Sequence, residues 1–302
     1  MIRHLCHDAI DKAEWDRQLS SCQGPVWYAA SDVLDVASPG WEALVDDEGA
    51  CMPLTWKSRF GLAYLYQPFL LQQLGVFAPL PSPERTGRFL QAVPSRFRYW
   101  DIGLQGAVAG APVDVRFTER TDLCLRLDGD AEAQRAGYGT NHRRNLRKAL
   151  EAGMVVDDRL DPGVFLRFVL GSPQAAAWKL SGEQQRVFRD LLARHGGDAG
   201  STVMGVRGSG GELLSAGWFM EHAGRSYFLK GLASEEGREK RAMFLLLDHH
   251  IATCAGRLHL LDLAGSEQPA LARFYAGFGA TRHVYLRALV NRLPMPVRWL
   301  KP

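Results

Sequence analysis

The densest run of reactive side chains lies between His259 and Gly279. The carboxylates Asp262 and Glu267 precede the phenol of Tyr275, and His259 stands at the start of the same apolar segment. Groups of these types exchange protons with a substrate, directly or through water. A phenol with an ordinary pKa of about 10 enters such chemistry as a proton donor. Two of these residues also have a plain structural role open to them. Asp262 at a strand end can brace a turn or cap a helix, and Tyr275, just before a helix-ending glycine, can be a core residue with a satisfied hydroxyl.

A second group suits anions. Asn141 to Ala152 reads as a helix that places Arg143, Arg144, Arg147 and Lys148 on adjoining faces, beside a Gly/Thr/Asn loop. Free backbone N–H groups at such a helix start favour phosphate or carboxylate, whereas the alternative is a solvated connecting helix. A third group, Lys57, Tyr64, Tyr66, Gln67, Gln72 and Gln73, is polar and aromatic. On a strand, Tyr64 and Tyr66 share one face and Leu65 and Gln67 the other. That pattern fits recognition of a sugar or peptide, or simply half-buried sheet tyrosines.

No metal is expected. His4, Cys6 and His7 are close in sequence, but a strand would turn His7 away from the other two, and no partner cluster is evident. The five cysteines are scattered and never form CxxC, so neither a disulfide framework nor a structural zinc knot is indicated and a reducing cytoplasm is the expected compartment. The chain carries 36 Lys and Arg against 33 Asp and Glu, a net charge of +3, which leaves anion binding to local patches. The start has no signal-peptide core and no apolar run is long enough to span a bilayer. A GxxxxGK[ST] loop is missing, which sets aside a P-loop kinase or ligase.

These groups need a scaffold, and the hydrophobic pattern supplies one twice. Residues 8–20 and 31–36 read as helices; 41–47, 50–56 and 62–70 as strands; 82–97 as a helix shortened by Pro94; and 98–104 as a strand. In the second half 201–208, 212–221 and 225–233 read as strands, 238–256 as one long helix, 259–265 as a buried strand, 269–279 as a helix and 283–290 as a last strand. His249 and His250, on different faces of the long helix, are expected at a half-exposed surface. Gly49 and Gly211, Tyr64 and Tyr227, and Asp101 and Asp262 are 161 to 163 residues apart, which predicts an internal duplication of a β-β-β-α-β-α-β unit. The expected division is 1–130, a basic linker helix at 131–155, and 156–302.

The segment Asp262-Leu-Ala-Gly-Ser266 with Ala272-Arg-Phe-Tyr-Ala-Gly-Phe-Gly279 resembles the late strand-to-helix element of the GNAT superfamily. With Tyr66-Gln-Pro-Phe-Leu-Leu-Gln-Gln-Leu-Gly-Val-Phe77 and Asn141-His-Arg-Arg-Asn-Leu-Arg-Lys-Ala149, the chain looks like a tandem-GNAT, Fem-like transferase. The resemblance implies an α/β fold of two GNAT-like domains, each a mixed, mostly antiparallel sheet flanked by helices, with the catalytic half second. It implies transfer of an acyl group to an amine. Tyr275 would protonate the departing thiolate of coenzyme A, and Asp262 or Glu267, or else His259, would take the amine's proton. The family's pyrophosphate loop maps onto Glu236 to Ala242, which has one glycine and basic residues at altered spacing; Gly237, Arg238, Arg241 and Ala242 would hold the cofactor there. Lys57, Tyr64, Tyr66, Gln67 and Gln73, with Arg143, Arg144 and Arg147, would bind substrate. The donor implied is an acyl-CoA and the acceptor a sugar, peptide or small metabolite. The Fem likeness implies instead an aminoacyl-tRNA donor and a peptidoglycan precursor as acceptor, although the coiled-coil arm of some Fem proteins is missing. A double fold that binds without catalysing is the remaining reading.

Overall fold

In the computed structural model, residues 1–173, 179–264, 268–295 and 298 are described. The chain divides into two compact units, Met1–Arg120 with Val284–Pro302, and Thr121–His283. Both carry mixed sheets flanked by helices, as expected. The dividing points differ from the sequence reading because the last strand returns to the first unit, and the helix read as a linker packs inside the second.

In the first unit, helix α1 (Lys12–Ser21) starts where the Asp11 carboxylate accepts from Glu14 N at 3.0 Å, and α2 (Ser31–Ala37) follows. Strands β1 (Ile2–Leu5), β2 (Glu42–Asp46) and β3 (Cys51–Leu54) form an antiparallel sheet in that order. A hairpin of β4 (Trp56–Arg59) and β5 (Leu62–Tyr66) leads to α3 (Pro83–Gln91) and then β6 (Phe97–Leu104), which lies parallel to β5. Ser82 caps α3 through Arg85 N and Pro83 occupies its first turn, a start that adds about 1 kcal/mol. The end at Gln91 follows from Pro94, which bars helical geometry from the residue before it. Trp100, Phe89, Phe97 and Leu65 fill the core.

The chain enters the second unit within β7 (Arg116–Arg126), then forms α4 (Ala131–Ala136), α5 (Thr140–Glu151) and β8 (Val155–Asp157). Helices α6 (Pro162–Leu170) and α7 (Gly182–His195) occupy a stretch for which the sequence reading names no element. Their starts are legible in hindsight: Asp161 caps the first, and Ser181 with Gln184 forms a reciprocal capping box on the second. Next come β9 (Ser201–Arg207), β10 (Leu213–His222), β11 (Arg225–Ala233), α8 (Glu235–Glu239), α9 (Ala242–Cys254), β12 (Leu260–Asp262), α10 (Pro269–Ala276) and β13 (Thr281–Asn291). The sheet order here is β7-β12-β11-β10-β9-β8, with only β11 and β12 parallel. β13 pairs with β6 of the first unit's sheet.

The single helix expected over 238–256 is two. The break falls at Arg241, whose φ of +67° is left-handed and stops the first helix before α9 begins. His250 is buried rather than half-exposed: it stacks on Phe219 and bonds Ser226 Oγ at 2.8 Å, and burial pushes its pKa down to about 3.

The internal repeat has a structural counterpart with one adjustment. Gly49 and Gly211 both turn hairpins at positive φ. In the parallel pairs, Tyr66 stands opposite Asp101 and Tyr227 opposite Asp262. Tyr66, not Tyr64, is therefore the partner of Tyr227. The offset agrees, since Tyr66 precedes Tyr227 by the same 161 residues that separate Asp101 from Asp262.

Candidate active site

The pairing of β11 with β12 stops at Tyr227 and Asp262, and past that point the two chain segments part. A cleft of about 660 Å³ opens there, between Phe228–Ala233 on one side and Leu263, Ala264 and Gln268 on the other, with α9 and α10 completing its walls. A crevice beyond the carboxyl ends of parallel strands is where α/β sheets place ligands. The register of β11 against β10 shifts at the same level: Phe219 faces Phe228 and Trp218 faces Lys230, so Leu229 has no cross-strand partner on β10. Such a bulge turns side chains out of the regular alternation, and Leu229 and Lys230 both line the cleft.

One wall is an uncapped helix start. The break at Arg241 leaves α9 with no side-chain cap, and the first amides of a helix have no intrahelical partner. Gly237, Arg238 and Arg241 line this part of the cleft. Gly237 is held by Ser234 Oγ, which accepts from its N–H at 3.0 Å, and it lies so close to β10 that a Cβ would come within 1.9 Å of Leu214 O. The Arg241 guanidinium donates to Arg238 O at 2.7 Å, which ties that side chain to the turn between the two helices. Ala242 is fully buried as the first residue of α9 and does not line the cleft. The described lining residues include three cations, Lys230, Arg238 and Arg241, and no carboxylate. The rest are mostly apolar. Such a lining can take an extended apolar ligand that carries negative charge at the α9 end.

The opposite wall holds Tyr275, 5% exposed on α10 between Phe228 and Phe274. Burial, and secondarily the Asp122 carboxylate, push its phenol above the ordinary range. The proton is thus retained at neutral pH and available for donation. The orientation of α10 is set from α5. His142 sits against Phe244, Phe274 and Phe278, its Nε2 lies 2.8 Å from Phe274 O, and Gly277 leaves room for its ring, where a Cβ would come within 1.9 Å. Nothing in the local sequence marks His142 for this part, because its partners are more than a hundred residues away.

Asp262 is buried, and Oδ1 accepts from Ala264 N at 3.0 Å, so it does brace the turn that opens the cleft. Across the sheet it faces Cys124, and Asp122 of the same strand supplies a second buried carboxylate bonded to it. Burial drives the Asp262 pKa up, with the Asp122 hydrogen bond and the Ala264 amide opposing. Two carboxyls buried side by side disfavour the doubly ionised pair. Sequence reading does not find Asp122, because its partner Asp262 is far along the chain and only the pairing of β7 with β12 brings the two together. Glu267 lies outside the described residues. His259 is exposed at the far end of β12, against the Gly224 turn, and away from the cleft.

Lys230 is the other residue that sequence reading missed. Its amine lies within the cleft wall and burial pulls its pKa down to about 8 from 10.5. Between those two values an unfolded chain keeps a proton that the folded chain has released, so stability should rise with pH across this window. Below about pH 8 both states are charged and the folded state bears the cost of burying the ammonium. Urea unfolding of Lys230→Met at pH 7, 8.5 and 10 should show a flatter dependence than the parent and higher stability at pH 7. Parallel profiles would mean that the amine is solvated.

The remaining sequence-read residues lie elsewhere. In the first unit, Lys57 Nζ sits 4.1 Å above the Tyr66 ring, Tyr64 and Tyr66 are edge to face at 6.3 Å, and the Tyr66 hydroxyl donates to Ala37 O at 3.1 Å. Gln67 accepts from Gly103 N at 2.7 Å and donates to Leu71 O, which ties β5 to β6 just past the end of their pairing. Gln73 is buried. In the second unit, α5 buries His142, Asn145, Leu146 and Ala149 and exposes its arginines. Arg143 spends its guanidinium on Tyr138 O at 2.7 Å and Ala136 O at 3.2 Å, and Arg144 bonds Asn141 at 3.0 Å. Arg147 is exposed.

Residues 136–270 match the family model of the acetyltransferase (GNAT) domain. No curated protein matches the chain in sequence. Among solved structures, FemX is similar at a TM-score of 0.69 with 14% identity, over 97% of this chain and 98% of that one. A conserved protein of unknown function from Bacteroides thetaiotaomicron VPI-5482 is similar at 0.65 with 12% identity, over 96% and 100%. L-PGS from Bacillus licheniformis is similar at 0.53 with 11% identity, over 96% and 95%. Most of the second unit is thus similar to a GNAT acetyltransferase domain, and the chain as a whole shares the fold of FemX.

Proposed function

We propose that the protein is an N-acyltransferase that takes an acyl group from an acyl-CoA bound in the cleft between β11 and β12 and passes it to an amine of a sugar, peptide or small metabolite. The observation that carries this is the cleft's polarity: the uncapped start of α9 with Arg238 and Arg241 at one end, Tyr275 on the facing wall, and apolar lining between. The diphosphate of the donor would lie on the α9 amides and the two arginines. Its thioester arm would run along Phe228 to Leu232. The amide of Leu229, the residue without a cross-strand partner on β10, would polarise the thioester carbonyl. As the amine attacks the carbonyl carbon, the C–S bond breaks, Tyr275 gives its proton to the leaving sulfur, and the amine's proton passes to the Asp122–Asp262 pair through water. The same-family expectation for Glu267 stays beside this reading. Five free cysteines fit a reducing cytoplasm, and among the described residues no helix is long and apolar enough to cross a membrane.

The Fem-like fold over the whole chain supports a second donor, an aminoacyl-tRNA, with a peptidoglycan precursor as acceptor. The exposed arginines of α5 would then meet the nucleic acid backbone, and Lys57, Tyr64 and Tyr66 would contribute to acceptor recognition. Transfer assays with labelled acetyl-CoA and labelled alanyl-tRNA, against amino sugars, peptides and cell-wall precursors, separate the two. Product from the thioester alone supports the first reading, and product from the tRNA alone replaces it with the second. Changing Arg238 and Arg241 together to Gln should weaken coenzyme A binding at least tenfold and flatten its salt dependence. Unchanged affinity at low salt would remove both arginines from the site. The corresponding change of Arg143, Arg144 and Arg147 to Gln should leave coenzyme A binding alone and weaken tRNA.

A further inference from the structure

We propose that His4, Cys6 and Glu42 of the first unit form a binding site for a thiophilic divalent transition-metal ion, with Zn2+ the best match. Sheet geometry makes the site. Alternation along β1 puts His4 and Cys6 on one face, and Cys6 keeps extended backbone angles, φ −68° and ψ 158°, so the alternation runs through it. β1 pairs antiparallel with β2 in a register that sets Leu5 opposite Ala43, and so sets Cys6 opposite Glu42. Residues opposite one another point to the same side of a sheet. One imidazole nitrogen, one sulfur and one carboxylate oxygen are thus brought to a single place, and the three atoms lie within 4.8 Å of one another.

The environment suits a metal. Glu42 is 5% exposed, yet His4 Nε2 is 2.6 Å from its Oε2 and Arg96 binds its Oε1. Arg96 would stay on Oε1 and orient the carboxylate, leaving Oε2 to the ion, as outer partners orient metal-ligating carboxylates elsewhere. His4 and Cys6 are open to solvent, which gives the ion an entry path and leaves a fourth position to water. A mixed N, S, O set of this kind selects zinc-like ions over calcium or magnesium, which take oxygen. Binding converts the Cys6 thiol to thiolate with release of one proton. His7 lies outside the cluster, with its Nδ1 3.0 Å from Trp41 O. The partner that His4 and Cys6 lack in sequence is Glu42, brought in by strand pairing alone. The ion would pin β1, the first strand of the chain, to β2.

Cobalt is the probe. Of the five cysteines only Cys6 is exposed, the other four being buried, so a thiolate-to-cobalt absorption band reports on this site. Chelator-stripped, reduced full-length protein titrated with Co2+ should develop that band, and Zn2+ should bleach it. Cys6→Ser should abolish the band, and His4→Gln should weaken Co2+ binding about tenfold or more while circular dichroism stays unchanged. Zn2+ should raise the melting temperature of the parent and not of Cys6→Ser. Absence of a cobalt band in the parent, or a band that survives in Cys6→Ser, overturns the proposal.

Discussion

Replacing Tyr275 with phenylalanine should lower acyl transfer about tenfold or more and leave the unfolding midpoint close to the parent's. The ring contributes to the core beside Phe228 and Phe274, and phenylalanine keeps that packing. What it loses is the proton. A sulfur leaving as an anion in a site lined by apolar groups has no water to neutralise it, so a positioned acid there is worth a factor of this size or larger. Burial holds the phenol in its protonated form well above neutral pH, so the parent's rate should show no loss on the alkaline side that is traceable to Tyr275 up to about pH 10. Steady-state kinetics with a saturating donor would check both points. An unchanged turnover number in Tyr275→Phe would return Tyr275 to the role of a core residue.

The second large effect is expected at Gly237. Adding one methyl group in Gly237→Ala places a carbon 1.9 Å from Leu214 O and 2.7 Å from Leu214 C, both backbone atoms of the central strand β10. Neither side can yield without breaking the contact of α8 with β10, where Ser234 N also donates to Leu214 O. Overpacking of this kind costs about 1–3 kcal/mol. The displacement is delivered to the turn that carries Arg238 and Arg241. Gly237→Ala should therefore unfold at lower denaturant and also lose affinity for coenzyme A. Equilibrium urea unfolding and calorimetric titration measure the two separately. Parent-like values in both would show that α8 can move off β10 freely and that its position does not matter to the cleft.

What the sequence disclosed and what it concealed divide along a physical line. Elements with strong local signals were legible: the capped and Pro-started helices α1, α3 and α10, the alternating strands β9 to β11, and the hairpin glycines Gly49 and Gly211. The split between α8 and α9 was not, because Arg241 carries no mark of a left-handed residue; only the packing of Gly237 against β10 forces it. β1 was hidden by its shortness and charges, and β7 by its polar first half. In the site, Tyr275, Arg238, Arg241 and Gly237 could be read from local pattern and family likeness, since one turn and one helix carry them. Lys230 could not: a lone lysine in a strand pattern is ordinarily solvated, and only the bulge at Leu229 turns it toward the cleft. Asp122 and His142 were concealed for a related reason. Each acts on a partner far along the chain, Asp262 and Phe274, and no spacing rule connects them.

Thermal unfolding with and without acetyl-CoA asks whether the cleft between β11 and β12 binds an acyl-CoA. At a hundred times its dissociation constant a ligand of the folded state adds about 2.7 kcal/mol. The melting temperature of the parent should climb with acetyl-CoA concentration, and climb much less when Arg238 and Arg241 are both Gln. A melting temperature indifferent to acetyl-CoA over a wide concentration range, or one that rises equally in the double variant, would contradict binding in this cleft.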